Sequence, residues 1–229
     1  MNQDNDSFKL IDFPNRCRLP EPRAGHDRFG RDRVHGWLDL ALTAETPVHV
    51  AAGFVALGVE VGEPSVPMIR PMVHTADGKL VIQGSSLKGC IRSIYEVITN
   101  SRLGTMPNKP LKTPRGFEPM KGRELLKGRE LCAAGRVFGA MSYQGLVSFT
   151  DAVCDRKAEV GYLRPMHSPD SEQYGDHNKI ARGRKFYYQT CRVAEGNKRT
   201  VTIQRAPVGS VFTTRLTFKN LVVHQRNFA

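Results

Sequence analysis

Leu80-Val-Ile-Gln-Gly84-Ser-Ser-Leu-Lys-Gly-Cys-Ile-Arg92 is the stretch from which the fold is read. Leu80-Val81-Ile82 is strand-like, and a helical run extends from Ser86 to Thr99. At the junction, Ser85 and Ser86 are N-cap residue types whose hydroxyls satisfy the first unpaired helical N–H groups. Gly84 and Gly89 let a ligand or a second backbone come close. Leu87, Ile91, Ile94, Tyr95 and Ile98 recur at helical spacing, a stripe expected to bury against a sheet, while Lys88 and Arg92 share another face. A helix start with free N–H groups, a positive dipole end and two cations suits an anion, and nucleic-acid phosphate is the biological anion it favours. The same residues also describe a capped surface helix with two solvated bases.

The 229-residue chain is 40% hydrophobic and 24% charged, the balance of a globular protein with one elaborated domain or two small ones. No window approaches the ~20 apolar residues of a membrane span. The N-terminus Met1-Asn-Gln-Asp-Asn-Asp6 is polar and acidic, unlike a secretory signal, so the expectation is a cytoplasmic protein with no membrane partner. Cys17, Cys90, Cys132, Cys154 and Cys191 are an odd, scattered set without a C-x-x-C pair, so neither a disulfide framework nor a zinc ribbon is expected. His167 and His177 near Cys191 match no common zinc spacing, and no metal site is assigned.

Net charge is +12, and the excess is clustered. Arg102 to Glu130 carries a net +5, and Lys179 to Arg205 a net +7. Solvated loops normally intersperse both signs, so the clustering favours a polyanion partner, with RNA or DNA the simplest.

Residues 1–35 read as an extended, Pro- and Arg-rich arm that docks or is partly disordered. Gly36 to Val50 reads as one long strand, and residues 51–78 as a loop or short hairpins with a two-residue Asp77-Gly78 turn. A basic, Pro-rich insertion occupies about 100–135, its second half from Gly122 to Val137 expected to be helical. Gly145 to Val153 and Ser210 to Leu221 read as further core strands. The second insertion, about 155–205, opens with a long loop over Gly161 to Asn178. There Arg182-Gly-Arg-Lys-Phe-Tyr-Tyr-Gln189 sets three cations beside three aromatics, a mix suited to gripping phosphate and stacking on a base. The same residues also read as a hairpin strand with half-buried rings.

Taken in order, several segments resemble the RAMP superfamily (repeat-associated mysterious proteins), the RNA-binding subunits of CRISPR effector complexes, and most of all the backbone-type subunits of type III systems. Thr46-Pro-Val-His-Val50 is similar to the first-strand segment of that family. Gly84-Ser-Ser-Leu-Lys-Gly-Cys-Ile-Arg92 is similar to its helix start. Arg136-Val-Phe-Gly139 with Gly145-Leu-Val-Ser-Phe-Thr-Asp151, and Pro207 to Phe218, follow in register, and Arg182 to Tyr188 is similar to a segment of some larger members. The resemblance covers most of residues 36–221. It implies an α+β, ferredoxin-like (RNA-recognition-motif-like) core within 36–229, with a basic thumb between the first helix and the second strand. It also implies CRISPR RNA, target RNA and further RAMP subunits as partners.

The expected RNA contacts are Gly84, Ser85, Ser86, Lys88 and Arg92 at the helix start, and Arg182, Arg184, Lys185 and Tyr187 in the second insertion, with Phe186, Tyr187 or Tyr188 stacking on a base. Specificity is expected from guide–target pairing. No cofactor is needed for binding.

Two departures follow from the same resemblance. Target-cleaving members carry a loop aspartate soon after the first strand that supports metal-dependent cleavage, but here no Asp lies between Asp39 and Asp77. Glu60 and Glu63 in that loop, and Asp170 and Asp176 elsewhere, are the weak substitutes, so no catalytic residue is assigned. Mg2+ or another divalent metal enters only if the chain is a nuclease. The second departure is that only β (36–50), α (86–99), β (145–153) and β (210–221) of a β-α-β-β-α-β order can be placed. The last helix and strand are expected from the remainder of a split or longer polypeptide, or from a neighbouring subunit.

Other readings fare less well. Ser85-x-x-Lys88 matches a serine acyl-enzyme start but lacks its partner motifs, and no Walker loop is present. A RAMP endoribonuclease that processes precursor CRISPR RNA would use His35, His49 or His167 as general base, and a plain RNA chaperone would need no chemistry. The expectation is a binding subunit, and if the chain is catalytic, an endoribonuclease.

Overall fold

The computed structural model describes residues 8–104, 111–119, 130–163, 174–187, 196 and 200–222. Its principal elements are β1 (Phe8–Asp12), β2 (Val34–Thr43), β3 (Leu80–Ile82), α1 (Gly84–Ile98), α2 (Ala133–Phe138), β4 (Val147–Phe149), β5 (Ala152–Cys154), β6 (Glu159–Leu163), β7 (Gly183–Tyr187), β8 (Val201–Arg205) and β9 (Val211–Leu221). The chain is mixed α/β and rich in strands.

Period-two alternation places Leu38, Leu40 and Leu42 on one face of β2 and Trp37, Asp39 and Ala41 on the other. β9 pairs antiparallel along β2, with Phe212 opposite Leu42, Thr214 opposite Leu40 and Leu216 opposite Leu38. The other flank of β9 receives β4 and then β5, and β5 in turn pairs with β3, all antiparallel. The sheet order is therefore β2, β9, then β4 with β5, then β3. Among the described residues β2 has no strand on its other edge.

The main core is Met72, Leu80, Ala152, Cys154, Ala206 and Phe212, with Leu42, Val48, Ile82 and Leu87 packed against it. A second cluster of Leu131, Tyr143 and Leu146 sits at the base of the first insertion.

Several expectations are corrected. The first strand ends at Thr43, not Val50; Pro47 has no N–H to give a ladder, and the chain re-pairs at isolated bridges, Val48 with Ala206 and Ala51 with Met72. The strand expected over 145–153 is cut in two at Thr150 and Asp151, because the Asp151 carboxylate accepts a hydrogen bond from Gly84 N at 2.8 Å. Gly161 to Leu163 is not loop but the end of β6, paired with β8 from Glu159–Arg205 to Leu163–Val201. The Asp77-Gly78 turn has three residues rather than two: Thr75 N donates to Lys79 O, and Gly78 takes φ +84° at the tip.

The described residues before β2, from Phe8 onward, are held by the body. β1 pairs with β7, Glu21–Pro22 pairs with Glu130–Leu131, and Arg136 binds the Glu21 carboxylate. Buried Asn220 accepts from Gly30 N and donates to the carbonyls of Gly25 and Arg28. Much of the Gly122–Val137 helical expectation lies outside the described residues; within them α2 starts at Ala133, where the Cys132 sulfur accepts from Gly135 N.

Candidate nucleic-acid interface

α1 begins at Gly84 because backbone packs there. A Cβ on Gly84 would fall against the carbonyl oxygen of Phe149 and 2.9 Å from that of Thr150, so only glycine lets the helix start this close to β4. The serines do not cap it. Gln83 is the N-cap residue, and Ser85 and Ser86 lie inside the first turn, exposed. The capping role passes to Asp151 from across the sheet, a tertiary contact that local spacing cannot report. Asp151→Ala is expected to cost about 1 kcal/mol, the usual value of a lost N-cap, measurable as a lowered urea midpoint with unchanged slope. The Asp151 carboxylate also offsets the positive end of the helix dipole at Gly84. Any anion is thereby favoured further along, toward Lys88.

The helix faces the body with its polar side. Ile91, Ile94 and Ile98, expected to be buried, are 40%, 47% and 72% exposed, whereas Glu96 is 5% exposed. Of the stripe, Leu87 packs on the main core and Tyr95 meets Phe138 with ring centroids 5.4 Å apart. The reason is an ion-pair hub. Both Glu96 carboxylate oxygens are taken, by Arg92 Nε at 2.8 Å and Arg184 Nη1 at 2.6 Å. Arg92 Nη1 further donates to Gly139 O, and Arg184 Nη2 to Ser101 O. The Ser101 hydroxyl accepts from Ala134 N at the start of α2. Arg92 and Arg184 thus bind α1, β7 and α2 together, which is a structural use of two residues expected at phosphates.

Lys88 remains half-buried on α1, and its pKa is pushed down, first by burial and second by the Arg92 charge. The negative charge of a phosphate placed against it would offset both effects. In the second insertion, Arg182 is exposed at the mouth of β7, and Lys185 Nζ lies 5.0 Å from the Tyr174 ring centroid. Phe186 is half-buried, and Tyr187 pairs through its backbone with Phe8. Tyr188, His167 and Asp170 lie outside the described residues, as do the more basic parts of the first insertion.

The acidic candidates among the described residues, Glu60, Glu63 and Asp176, do not converge. Glu60 spends a carboxylate oxygen on Leu57 N at 3.0 Å, closing a short 3-10 turn over Gly58–Val61, and Glu63 follows that turn. Asp176 accepts from Ile180 N and Asn178 N, both at 2.8 Å, and the Ile180 bond leads in holding its carboxyl below the usual range. Among the described residues no three His, Cys, Asp or Glu side chains gather at a metal-binding distance. Glu60, Glu63 and Asp176 do not form a divalent-cation site. His35 is hydrogen-bonded to Asn220 N and Gly30 O, and His49 Nδ1 donates to Gln204 O at 2.6 Å.

One feature was not legible in the sequence: a cavity of about 460 Å³ beside the start of α1, lined by Phe54, Met72, His74, Gln83 and Gln204 among others. Its residues come from five separated stretches, so no local motif announces it. His74 Nδ1 donates to Met72 O at 2.8 Å, which leaves Nε2 of the neutral ring as an acceptor.

An antiparallel sheet crossed by one long helix that starts on a glycine and carries Lys88 defines a mixed α/β domain with a cationic helix start. The RAMP superfamily profile matches residues 41–227, and the chain belongs to that superfamily. Among solved structures it is similar to a chain in the cryo-EM structure of the type III-B Cmr-beta bound to cognate target RNA, at 16% identity and a TM-score of 0.39. The match covers 81% of this chain and 47% of the other, so the protein spans less than half the length of that relative. No curated protein matches it.

Proposed function

We propose that this chain is a CRISPR RNA-binding, backbone-type subunit of a type III effector complex that holds guide RNA for pairing with target RNA and does not itself cleave. The observation that carries this reading is the RAMP match over 41–227, within which the Gly84–Arg92 helix start and both basic segments fall. Lys88, with the exposed Ser85 and Ser86 on the first turn, takes a guide phosphate, and Gly89 leaves the surface open to it. Arg182 and Lys185 add contacts from the second insertion. Arg92 and Arg184 act by positioning, since each gives one donor to Glu96 and another to a backbone carbonyl, which fixes both guanidiniums against the body. The cavity beside Gln83 has room for one nucleobase, with the Phe54 ring to stack on and His74 Nε2 to accept from an exocyclic amino group.

In the same reading the core is ferredoxin-like: β2, α1, β4 with β5, and β9 take the places of its first strand, first helix, second strand and third strand. The closing helix and strand, from a split or longer polypeptide or a neighbouring subunit, lie along the edge of β2 that has no strand among the described residues, because a ten-residue edge carrying exposed Leu38 is a liability if left open. The cell compartment in this reading is the cytoplasm; among the described residues no helix is long and apolar enough to cross a membrane.

The test is salt-dependent binding of the full chain to a repeat-containing single-stranded RNA, followed by anisotropy. Lys88→Ala combined with Arg182→Ala is expected to weaken binding on every RNA sequence alike. It should flatten the slope of log K against log salt by about 1.4, near 0.7 for each phosphate lost. An unchanged slope would remove these residues from the interface, and no RNA binding at any salt would overturn the reading.

A further inference from the structure

We propose that the open face of the five-stranded sheet is a second RNA site, separate from the start of α1, where one unpaired nucleotide stacks on Trp37 beside Arg215. The inference rests on the reading that the chain binds RNA, and deepens it. Trp37 is the only tryptophan of the chain and projects from the face of β2 opposite Leu38, Leu40 and Leu42. It is 62% exposed. Two residues on, Asp39 stands across the ladder from Arg215, and Trp37 itself is opposite Thr217.

The guanidinium of Arg215 lies 5.5 Å from the Trp37 ring centroid. It is held there by two hydrogen bonds to Asp39, Nε to Oδ1 at 2.7 Å and Nη2 to Oδ2 at 3.1 Å. The same hydrogen bonding lowers the pKa of Asp39 and raises that of Arg215. A fork fixed on a carboxylate keeps one orientation and still has donors left for a phosphate or a base carbonyl. Next along β2 is a hollow of about 540 Å³ walled by Asp39, Ala41, Thr150, Thr213 and Arg215, a size that takes a small ligand.

The wall chemistry chooses between RNA and protein as the occupant. A protein interface concentrates apolar side chains at its centre. Here a single indole stands beside an ion pair, and the hollow next to it is lined by three threonines and Ala41 with Leu40 as its one large apolar residue. Such a surface offers a flat π-face for a base, a cation at its edge and hydroxyls for ribose or phosphate. The +12 charge of the chain favours a polyanion. The strand must be single, since the base faces of a duplex are already stacked on one another.

Because Trp37 is the sole tryptophan, its fluorescence reports this site alone. Titration of the full chain with a single-stranded RNA decamer should quench the emission saturably, while a duplex of equal length should not. Trp37→Ala should weaken binding about tenfold, within the range of one lost base stack, and Trp37→Phe should restore most of it. Lys88→Ala should weaken binding yet leave the quenching at saturation unchanged. Equal thermal melts of Trp37→Phe and the parent guard against misfolding. RNA that binds by anisotropy without changing the emission, and with Trp37→Ala as tight as the parent, would overturn the site and leave RNA binding standing. No RNA binding at all would overturn both. Emission that shifts on concentrating the chain without RNA would assign the face to a second copy, and the proposal would fall.

Discussion

Replacing Glu96 with alanine is expected to destabilise the chain by about 3–5 kcal/mol, the cost of removing one partner from a buried ion pair and leaving the other charge uncompensated. The effect is large because Glu96 serves two arginines at once. Their side chains are 26% and 10% exposed, against 6% for the carboxylate between them. Without it, Arg92 and Arg184 face each other across a poorly solvated gap. Arg184 would keep its bond to Ser101 O, just past the end of α1, and the contact of its guanidinium with the Phe13 ring, 5.5 Å away, but not its tie to α1 through Glu96. Glu96→Gln keeps the shape and an acceptor but not the charge, so its loss should be intermediate. Arg92→Ala should cost less than Glu96→Ala, since Arg92 is the more solvated partner. Urea unfolding reads all three. A Glu96→Ala midpoint close to the parent would mean that water reaches the hub.

That hub also explains what sequence reading found and what it missed. α1 was legible from Leu87, Ile91, Ile94, Tyr95 and Ile98 because helical periodicity is a local property. Which side of the helix meets the body is not local. Glu96 and Arg92 lie one turn apart and look like an ordinary surface pair, yet their third member, Arg184, comes from 88 residues away. β9 matches its expected bounds to one residue because its alternation is strong, whereas β2 starts near its expected place but ends at Thr43, well before the expected Val50. The break in the strand after Gly145 was not, because it exists to bring Asp151 to Gly84. The end of β6, Gly161 to Leu163, reads as loop in the sequence, since the Pro, Asp and His residues that follow Leu163 swamp a five-residue strand whose partner is far along the chain.

The candidate site was legible to the same depth. Residue types at the helix start were read correctly as cationic and glycine-rich, but the assignment of capping to Ser85 and Ser86 was wrong. Two of the expected cations, Arg92 and Arg184, have structural partners that only the assembled fold supplies. Trp37 and Arg215 carried no motif at all. They meet only because β2 and β9 pair in one register, with Asp39 opposite Arg215.

The two glycines of the helix start separate packing from binding. On Gly84 a Cβ meets backbone oxygens of Phe149 and Thr150, which cannot swing aside as a side chain would. Gly84→Ala should therefore cost about 1–3 kcal/mol, the penalty of overpacking, even after the better helix propensity of alanine is counted. As α1 shifts outward the Asp151 bond to Gly84 N weakens too, so stability and RNA affinity should fall together. On Gly89 a Cβ meets nothing within 4 Å. Gly89→Ala should stabilise the chain by about 0.5–1 kcal/mol, because glycine inside a helix is costly relative to alanine. If RNA backbone passes over Gly89 beside Lys88, the same variant should bind RNA several-fold more weakly while melting higher. Opposite signs for stability and affinity cannot come from a disturbed fold. Unchanged affinity in Gly89→Ala would place the guide away from this face of α1, and equal stability changes at the two positions would mean that β4 does not set where the helix begins.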